Sequence, residues 1–306
     1  MRVFVSGVGG QLGHDVMNEL RRRGHEGIGS DIAPQYSGAQ DGSAVTTMPY
    51  VQLDITDAAA VSRVLREVKP DAVVHCAAWT AVDAAEDVEN QSKIRAINAE
   101  GTANIAEVCK ELDCKMVYIS TDYVFNGQGE TPWQPDCKDY APLNYYGQTK
   151  LEGELAVSSR LEKYFIVRIA WVFGLNGKNF IKTMLKLGET HDTLRVVNDQ
   201  IGTPTYTLDL SRLLVDMIET ERYGYYHATN EGGYISWYDF ACAIFKAAGM
   251  SVTVQPVTTA EYGESKAKRP FNSRLDKSKL KENGFQPLPD WQNALERYLK
   301  ELNVDL

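Results

Sequence analysis

The sequence predicts an α/β protein: a Rossmann-like, doubly wound parallel sheet with a smaller C-terminal substrate-binding lobe. Three observations carry that expectation. The chain opens on a short apolar strand, Val3-Phe4-Val5, that runs directly into a glycine-rich turn and a helix. Short apolar runs then alternate with helical stretches through about residue 170, the pattern of repeated βα units. Beyond that the rhythm loosens, although Gly224-Tyr225-Tyr226-His227-Ala228 reads as one more strand of the main sheet. The dinucleotide-binding domain is therefore expected over residues 1–170 plus about 203–230, and the substrate-binding lobe over about 171–202 plus 231–306.

The first turn, Gly7-Val8-Gly9-Gly10-Gln11-Leu12-Gly13, places glycines at 7, 10 and 13. Glycine permits the sharp strand-to-helix turn and lets the backbone approach a pyrophosphate, whose charge then sits at a helix N-terminus. Gly7, Gly10, Gln11, Leu12 and Gly13 are the expected phosphate-side residues, on a helix running to about Arg23. The second strand, Ile28-Gly29-Ser30-Asp31, ends on an acid placed to accept hydrogen bonds from an adenosine ribose. A carboxylate there repels a 2'-phosphate, so the cofactor is NAD or NADP with NAD favoured; Arg2 and Arg21 to Arg23 keep NADP open.

Residues 33–49 are polar and turn-rich, and read as a long surface loop in place of a crossover helix. A third strand follows at Tyr50-Val51-Gln52, with Asp54 and Ile55 placed to meet an adenine. A helix from Ala58 to Val68 stops before Pro70. The fourth strand, Asp71 to Ala78, ends on Ala77 and Ala78, small enough for close cofactor approach, and His75 within it reads as core. Trp79 to Asp83 forms a loop on the nicotinamide-ribose side. Residues 85–111 are mostly helical, and Asn98 inside them needs a polar partner.

The strand Met116 to Thr121 delivers hydroxyls to the C-terminal edge of the sheet, where substrates bind in this architecture. On the helix expected from Tyr146 through Leu161, Tyr146 and Lys150 stand one turn apart on one face. A tyrosine alone is a poor acid or base near neutrality, with a reference pKa of about 10. A neighbouring ammonium favours phenolate and lets the phenol exchange the proton that accompanies hydride transfer. Thr121 can hydrogen-bond the same substrate oxygen, and Lys150 can also hold the cofactor ribose. Thr121, Tyr146 and Lys150 are thus the expected catalytic residues.

Together Gly7 to Gly13, Leu53 to Asp57, Ala77 to Asp83, Ser120 to Phe125 and Tyr146 to Glu154 resemble the extended short-chain dehydrogenase/reductases. Arg168 to Gly174, Asp199 to Thr205, and Arg269-Pro270 with Ser273, Leu275 and Asp276 narrow the resemblance to the dTDP-4-dehydrorhamnose reductase group. The resemblance spans nearly the whole chain. It implies NAD(P)H-dependent reduction of the 4-keto group of dTDP-4-dehydrorhamnose to dTDP-L-rhamnose, with Tyr146 as proton donor. It also implies a polar 199–205 loop on the pyrimidine or cofactor side. A related sugar-nucleotide epimerase and a non-catalytic, cofactor-binding regulatory subunit are the alternatives. A 4,6-dehydratase is disfavoured, because Asp122 is followed by Tyr123 and not by a glutamate.

For the substrate, Thr121, Asp122, Tyr123, Trp171 and Arg269 are expected to line the site. Lys266, Lys268, Arg269 and Arg274 concentrate positive charge in an acidic chain, and Arg269 is the preferred diphosphate clamp. Trp237 is either core or substrate wall, and His227 is structural.

A formal net charge of -9 over 306 residues and the lack of a basic stripe argue against a nucleic-acid partner. No apolar run approaches the roughly 18 residues of a membrane span. The absence of a signal-peptide pattern and five cysteines without metal-like spacing give a cytoplasmic expectation, with no metal site and buried, unpaired thiols. A homodimer is left open.

Overall fold

The computed structural model describes residues 1–263 and 265–303. Six parallel strands come first: β1 (Arg2–Ser6), β2 (Glu26–Asp31), β3 (Tyr50–Gln52), β4 (Ala72–His75), β5 (Lys115–Thr121) and β6 (Tyr164–Ile169). Strand Gly224–His227 completes a seven-stranded sheet on the far side of β6. The order across the sheet is Gly224–His227, β6, β5, β4, β1, β2, β3. Strand order reverses between β1 and β4, which makes their C-terminal ends the switch point where such sheets bind ligands.

The pleat explains the two faces. Val3 and Val5 of β1 point into one core while Phe4 points into the other. Helices α1 (Gln11–Arg22) and α8 (Thr207–Ile218) cover the first face. Helices α3 (Ala58–Val68), α5 (Thr102–Leu112) and α6 (Tyr145–Ser158) cover the second. Local chemistry sets the helix ends: Asp57 accepts from the Ala60 N–H at 2.9 Å to start α3, and left-handed Lys69 closes it ahead of Pro70.

The smaller lobe has its own core. Phe173, Tyr206, Phe240, Trp291 and Tyr298 pack between α7 (Phe180–Gly188), α9 (Trp237–Ala247) and the helix Trp291–Glu301. Two parallel strands, Thr193–Val197 and Thr253–Val257, support it from outside the main sheet.

Two local expectations change and a third is refined. Residues 33–49 are not all surface loop, since Ala44–Thr47 forms the one-turn α2, and Ala44 and Val45 are buried. Asn18 on α1 accepts from the Ala44 N–H at 2.8 Å, so the segment is pinned back onto the first helix. Helix α6 ends at Ser158, three residues before Leu161, where two serines, weak helix formers, meet a tight turn. The 85–111 stretch includes α4 (Val88–Arg95), and a π-helical turn at Ala96–Gly101 joins it to α5.

No described helix is long and apolar enough to cross a membrane, and no described group of three or more His, Cys, Asp or Glu side chains could hold a metal ion. All five cysteines are free.

Candidate active site

A cavity of about 240 Å³ opens at the switch point. Its floor is Ser6, Gly7 and Gly10 on one side and Cys76, Ala77 and Ala78 on the other, with Ser30, Asp31, Asp54 and Ile55 toward the outer strands. Gly7 has a positive φ of 75°, and a Cβ there would lie 2.6 Å from the Ala77 amide nitrogen, so only glycine fits. Gly13 lets α1 press onto the turn, since a Cβ would come 2.3 Å from the Gly7 carbonyl oxygen. Gly10 caps the helix in extended geometry.

Asp31 is held at the cavity mouth. It accepts from the Gly9 N–H at 2.9 Å and from the Ile32 N–H at 2.8 Å. Beside it the Ser30 hydroxyl is buried, lines the cavity and has no partner within the protein. An orphaned hydroxyl, a carboxylate and a glycine turn at a helix N-terminus suit a dinucleotide with its riboses and pyrophosphate.

Seven predicted cofactor residues meet here: Gly7, Gly10, Asp31, Asp54, Ile55, Ala77 and Ala78. Gln11, Leu12, Gly13 and Lys150 do not line the cavity. Leu12 packs in the core, Gln11 accepts from Asn179 at 3.0 Å, and Gly13 serves helix-to-turn packing. Ser6, Ser30, Ile32, Leu53, Cys76 and Ile97 line the cavity without having been anticipated. For Ser30 the available signal was its place beside Asp31 at the end of the second strand.

Thr121 ends β5, and Tyr146 and Lys150 face it from α6. All three side chains are buried. Asn144 starts α6 by accepting from the Gly147 N–H at 2.8 Å. Glycine at 147 lets that first turn approach the Tyr123 carbonyl, which a Cβ would meet at 2.3 Å.

The Lys150 ammonium donates to the Ile119 carbonyl at 2.7 Å and lies 4.2 Å from the centre of the Tyr118 ring. Burial pushes its pKa down to about 7, against an opposing pull from Glu154. The Tyr146 phenol is shifted upward, first by burial and then by the Asp122 carboxylate, with Thr121 working the other way. The expectation that Lys150 would favour phenolate is therefore not met, since burial and Asp122 dominate. A neutral phenol is the form that can give a proton.

Asn98, in the π-turn, is fully partnered. It accepts from the Trp79 N–H at 2.8 Å and donates to the Trp79 carbonyl at 3.2 Å and to the Thr149 hydroxyl at 3.0 Å. Thr149 in turn donates to the Tyr146 carbonyl at 2.9 Å. His75 is buried between Ser6 and Thr102, and burial pushes its pKa down to about 3, so it is neutral.

On the substrate side, Asp122 is buried, accepts from Thr121 at 3.1 Å and is hydrogen-bonded by Ser273 of the smaller lobe. Burial pushes its pKa up to about 6. Tyr123 packs edge-on against Tyr146, with ring centres 5.6 Å apart. Trp171 has a left-handed φ of 52° and stacks on Trp237 at 3.7 Å. Such backbone strain is common at functional sites. Arg269 does not line the cavity, and its guanidinium pairs with Asp83 at 2.7 Å. The sequence reading missed this pair, which spans 186 residues.

Residues 1–304 match the RmlD substrate binding domain family. A dTDP-4-dehydrorhamnose reductase of Streptomyces griseus is 38% identical over 96% of this chain and 91% of its own length. The crystal structure of a dTDP-4-dehydrorhamnose reductase from Clostridium acetobutylicum superposes with a TM-score of 0.88 at 40% identity, covering 99% of this chain and 100% of that one. A dTDP-4-dehydrorhamnose reductase from Bacillus anthracis, solved in complex with NADP, gives a TM-score of 0.87 at 39% identity, with 98% of this chain and 99% of that one covered.

Proposed function

The chain belongs to the RmlD substrate binding domain family, and from that membership we propose that it reduces the 4-keto group of dTDP-4-dehydrorhamnose to give dTDP-L-rhamnose. One observation carries the chemistry: Thr121, Tyr146 and Lys150 converge, buried, at the sheet edge that also holds the glycine-floored cavity. The protein binds a nicotinamide dinucleotide, which supplies the hydride when bound.

Tyr146 holds its proton until the substrate oxygen gains charge, and then gives it up. Thr121 orients that oxygen. Lys150, fixed on the Ile119 carbonyl, supports the phenol and holds the cofactor ribose. Gly7 and Gly10 receive the pyrophosphate, Asp31 the adenosine ribose, and Ala77 and Ala78 the inner ribose. Asp31 also favours NADH, because its carboxylate repels a 2'-phosphate. Tyr123 and Trp171 wall the sugar, while Arg269 meets the diphosphate. Residues 1–170 with 203–230 serve the dinucleotide, and 171–202 with 231–306 serve the sugar nucleotide.

A coupled assay with dTDP-4-keto-6-deoxy-L-mannose and either NADH or NADPH tests this reading. Stoichiometric oxidation of the dinucleotide with formation of the 4-hydroxy sugar is expected, faster with NADH. Turnover of the sugar without net dinucleotide oxidation would show an epimerase, and binding without turnover a regulatory subunit.

A further inference from the structure

The Arg269 guanidinium, offered above as the diphosphate clamp, is already filled by an acid of the same chain. Asp83 takes both of its arms, at 3.1 Å to one nitrogen and 2.7 Å to the other. The same carboxylate accepts from the Ala267 N–H at 3.2 Å. Three donors of the smaller lobe thus converge on one carboxylate from the dinucleotide-binding side. A second pair repeats the relation next door, with Lys266 donating to Asp87 at 2.8 Å. The Arg269 side chain is 30% exposed and that of Asp83 47%, so solvent screens the pair.

We propose that Asp83 is a placeholder anion, occupying the phosphate-binding donors of the 266–269 segment until a nucleoside diphosphate displaces it. The inference rests on the reading of Arg269 as the clamp. A carboxylate and a phosphate present the same two-oxygen face to a guanidinium, so one can stand in for the other. A diphosphate brings more negative charge and more acceptor oxygens than one carboxylate. Exchange costs little on the protein side, because a solvent-screened pair contributes at most about 1 kcal/mol.

The segment does not depend on Asp83 for its place. Asn144, the residue that caps α6, donates from its amide to the Lys268 carbonyl at 2.8 Å. The Asn272 N–H donates to the Gly127 carbonyl at 2.8 Å. When Asp83 lets go, the Ala267 N–H and the outer guanidinium arm are left without an acceptor, while the other arm still donates to the Ala267 carbonyl at 3.3 Å, on a backbone still anchored at each side. Asp83 therefore tunes affinity, and selects for ligands that can outbid a carboxylate: a diphosphate and not a neutral sugar.

Calorimetric titration with dTDP, on the whole chain without dinucleotide, tests the proposal. Asp83→Asn should tighten dTDP binding by about two- to fivefold. Asp83→Ala should move it the same way, with far-UV circular dichroism and thermal melting checking the fold of both. Arg269→Gln should weaken binding by about tenfold or more, and adding Asp83→Asn to it should bring no gain. If Arg269→Gln weakens binding while both Asp83 variants leave it unchanged or weaker, the placeholder role is overturned and the clamp stands. If Arg269→Gln has no effect, the clamp itself falls and the placeholder with it.

Discussion

The Lys150 ammonium is bonded to the carbonyl of Ile119, the residue two before Thr121 on β5. That bond fixes where the amine sits: tied to the strand that carries Thr121 and over the Tyr118 ring. The tyrosine keeps its proton in the resting protein. An arrangement that holds an acid in its protonated form suits reduction, in which the substrate oxygen receives a proton.

Tyr146→Phe should lower kcat by about 10²- to 10⁴-fold, the span usual for loss of a general acid. The ring still packs against Tyr123, so dinucleotide binding should stay within about twofold of wild type. Steady-state kinetics and fluorescence titration with NADH check both halves. Unchanged turnover would remove Tyr146 from its role.

Gly7 and Gly10 should respond differently to alanine. At Gly7 the positive φ and the contact with Ala77 forbid a side chain, and Gly7→Ala should cost at least about 3 kcal/mol in urea unfolding. At Gly10 a Cβ meets only the Gly7 carbonyl oxygen, at 3.2 Å. Gly10→Ala should therefore cost no more than about 1 kcal/mol, while weakening NADH binding by about tenfold through the methyl it places on the cavity floor.

Asp15 on α1 is buried against the Thr207 hydroxyl, and burial pushes its pKa up to about 7. The folded state holds this proton more tightly than the unfolded state does. Asp15 should thus be neutral and harmless below about pH 4, and increasingly destabilising as pH rises from about 4 to 7. Asp15→Asn removes that titration while keeping an acceptor for Thr207. The variant should match wild type at pH 4 and exceed it by up to about 4 kcal/mol at pH 8, read from denaturant unfolding across the range. Equal pH profiles would contradict the assignment.

Arg168 and Glu154 form a fully buried pair between β6 and α6, doubly bonded at 2.8 Å, with the guanidinium between the Phe125 and Tyr225 rings. Removing either charge alone leaves the other stranded. Glu154→Gln or Arg168→Met should each cost about 3–5 kcal/mol, and the double replacement Arg168→Met with Glu154→Leu should recover much of it. Thermal and urea unfolding of the three variants decide the point.

Much of this was legible in the sequence because it depends on short spacings. Gly7, Gly10 and Gly13 announce a glycine-rich strand-to-helix turn, and a separation of four residues puts Tyr146 and Lys150 on one helical face. The order of strands and helices through β6 follows from alternating apolar runs, and the return strand Gly224–His227 was visible in the same way. What escaped depends on contacts between distant residues. Nothing near Arg269 in the sequence points to Asp83, and nothing near Asp122 points to Ser273. The direction of the Tyr146 shift was missed for the same reason: the sequence shows a lysine one turn away, but not the burial of the phenol or the Asp122 carboxylate beside it.

The strand Gly224–His227 has a consequence for how the protein is made. β6 has open hydrogen-bonding groups on one edge until that strand arrives, and the residues between them belong largely to the smaller lobe and to α8. During synthesis from the N-terminus, the nascent sheet must wait some sixty residues, with Phe165, Ile166 and Val167 beside an unprotected edge. A ribosome halted near residue 200 would therefore hold an adhesive intermediate and not a finished nucleotide-binding half, and this interval is where a chaperone would have most to do.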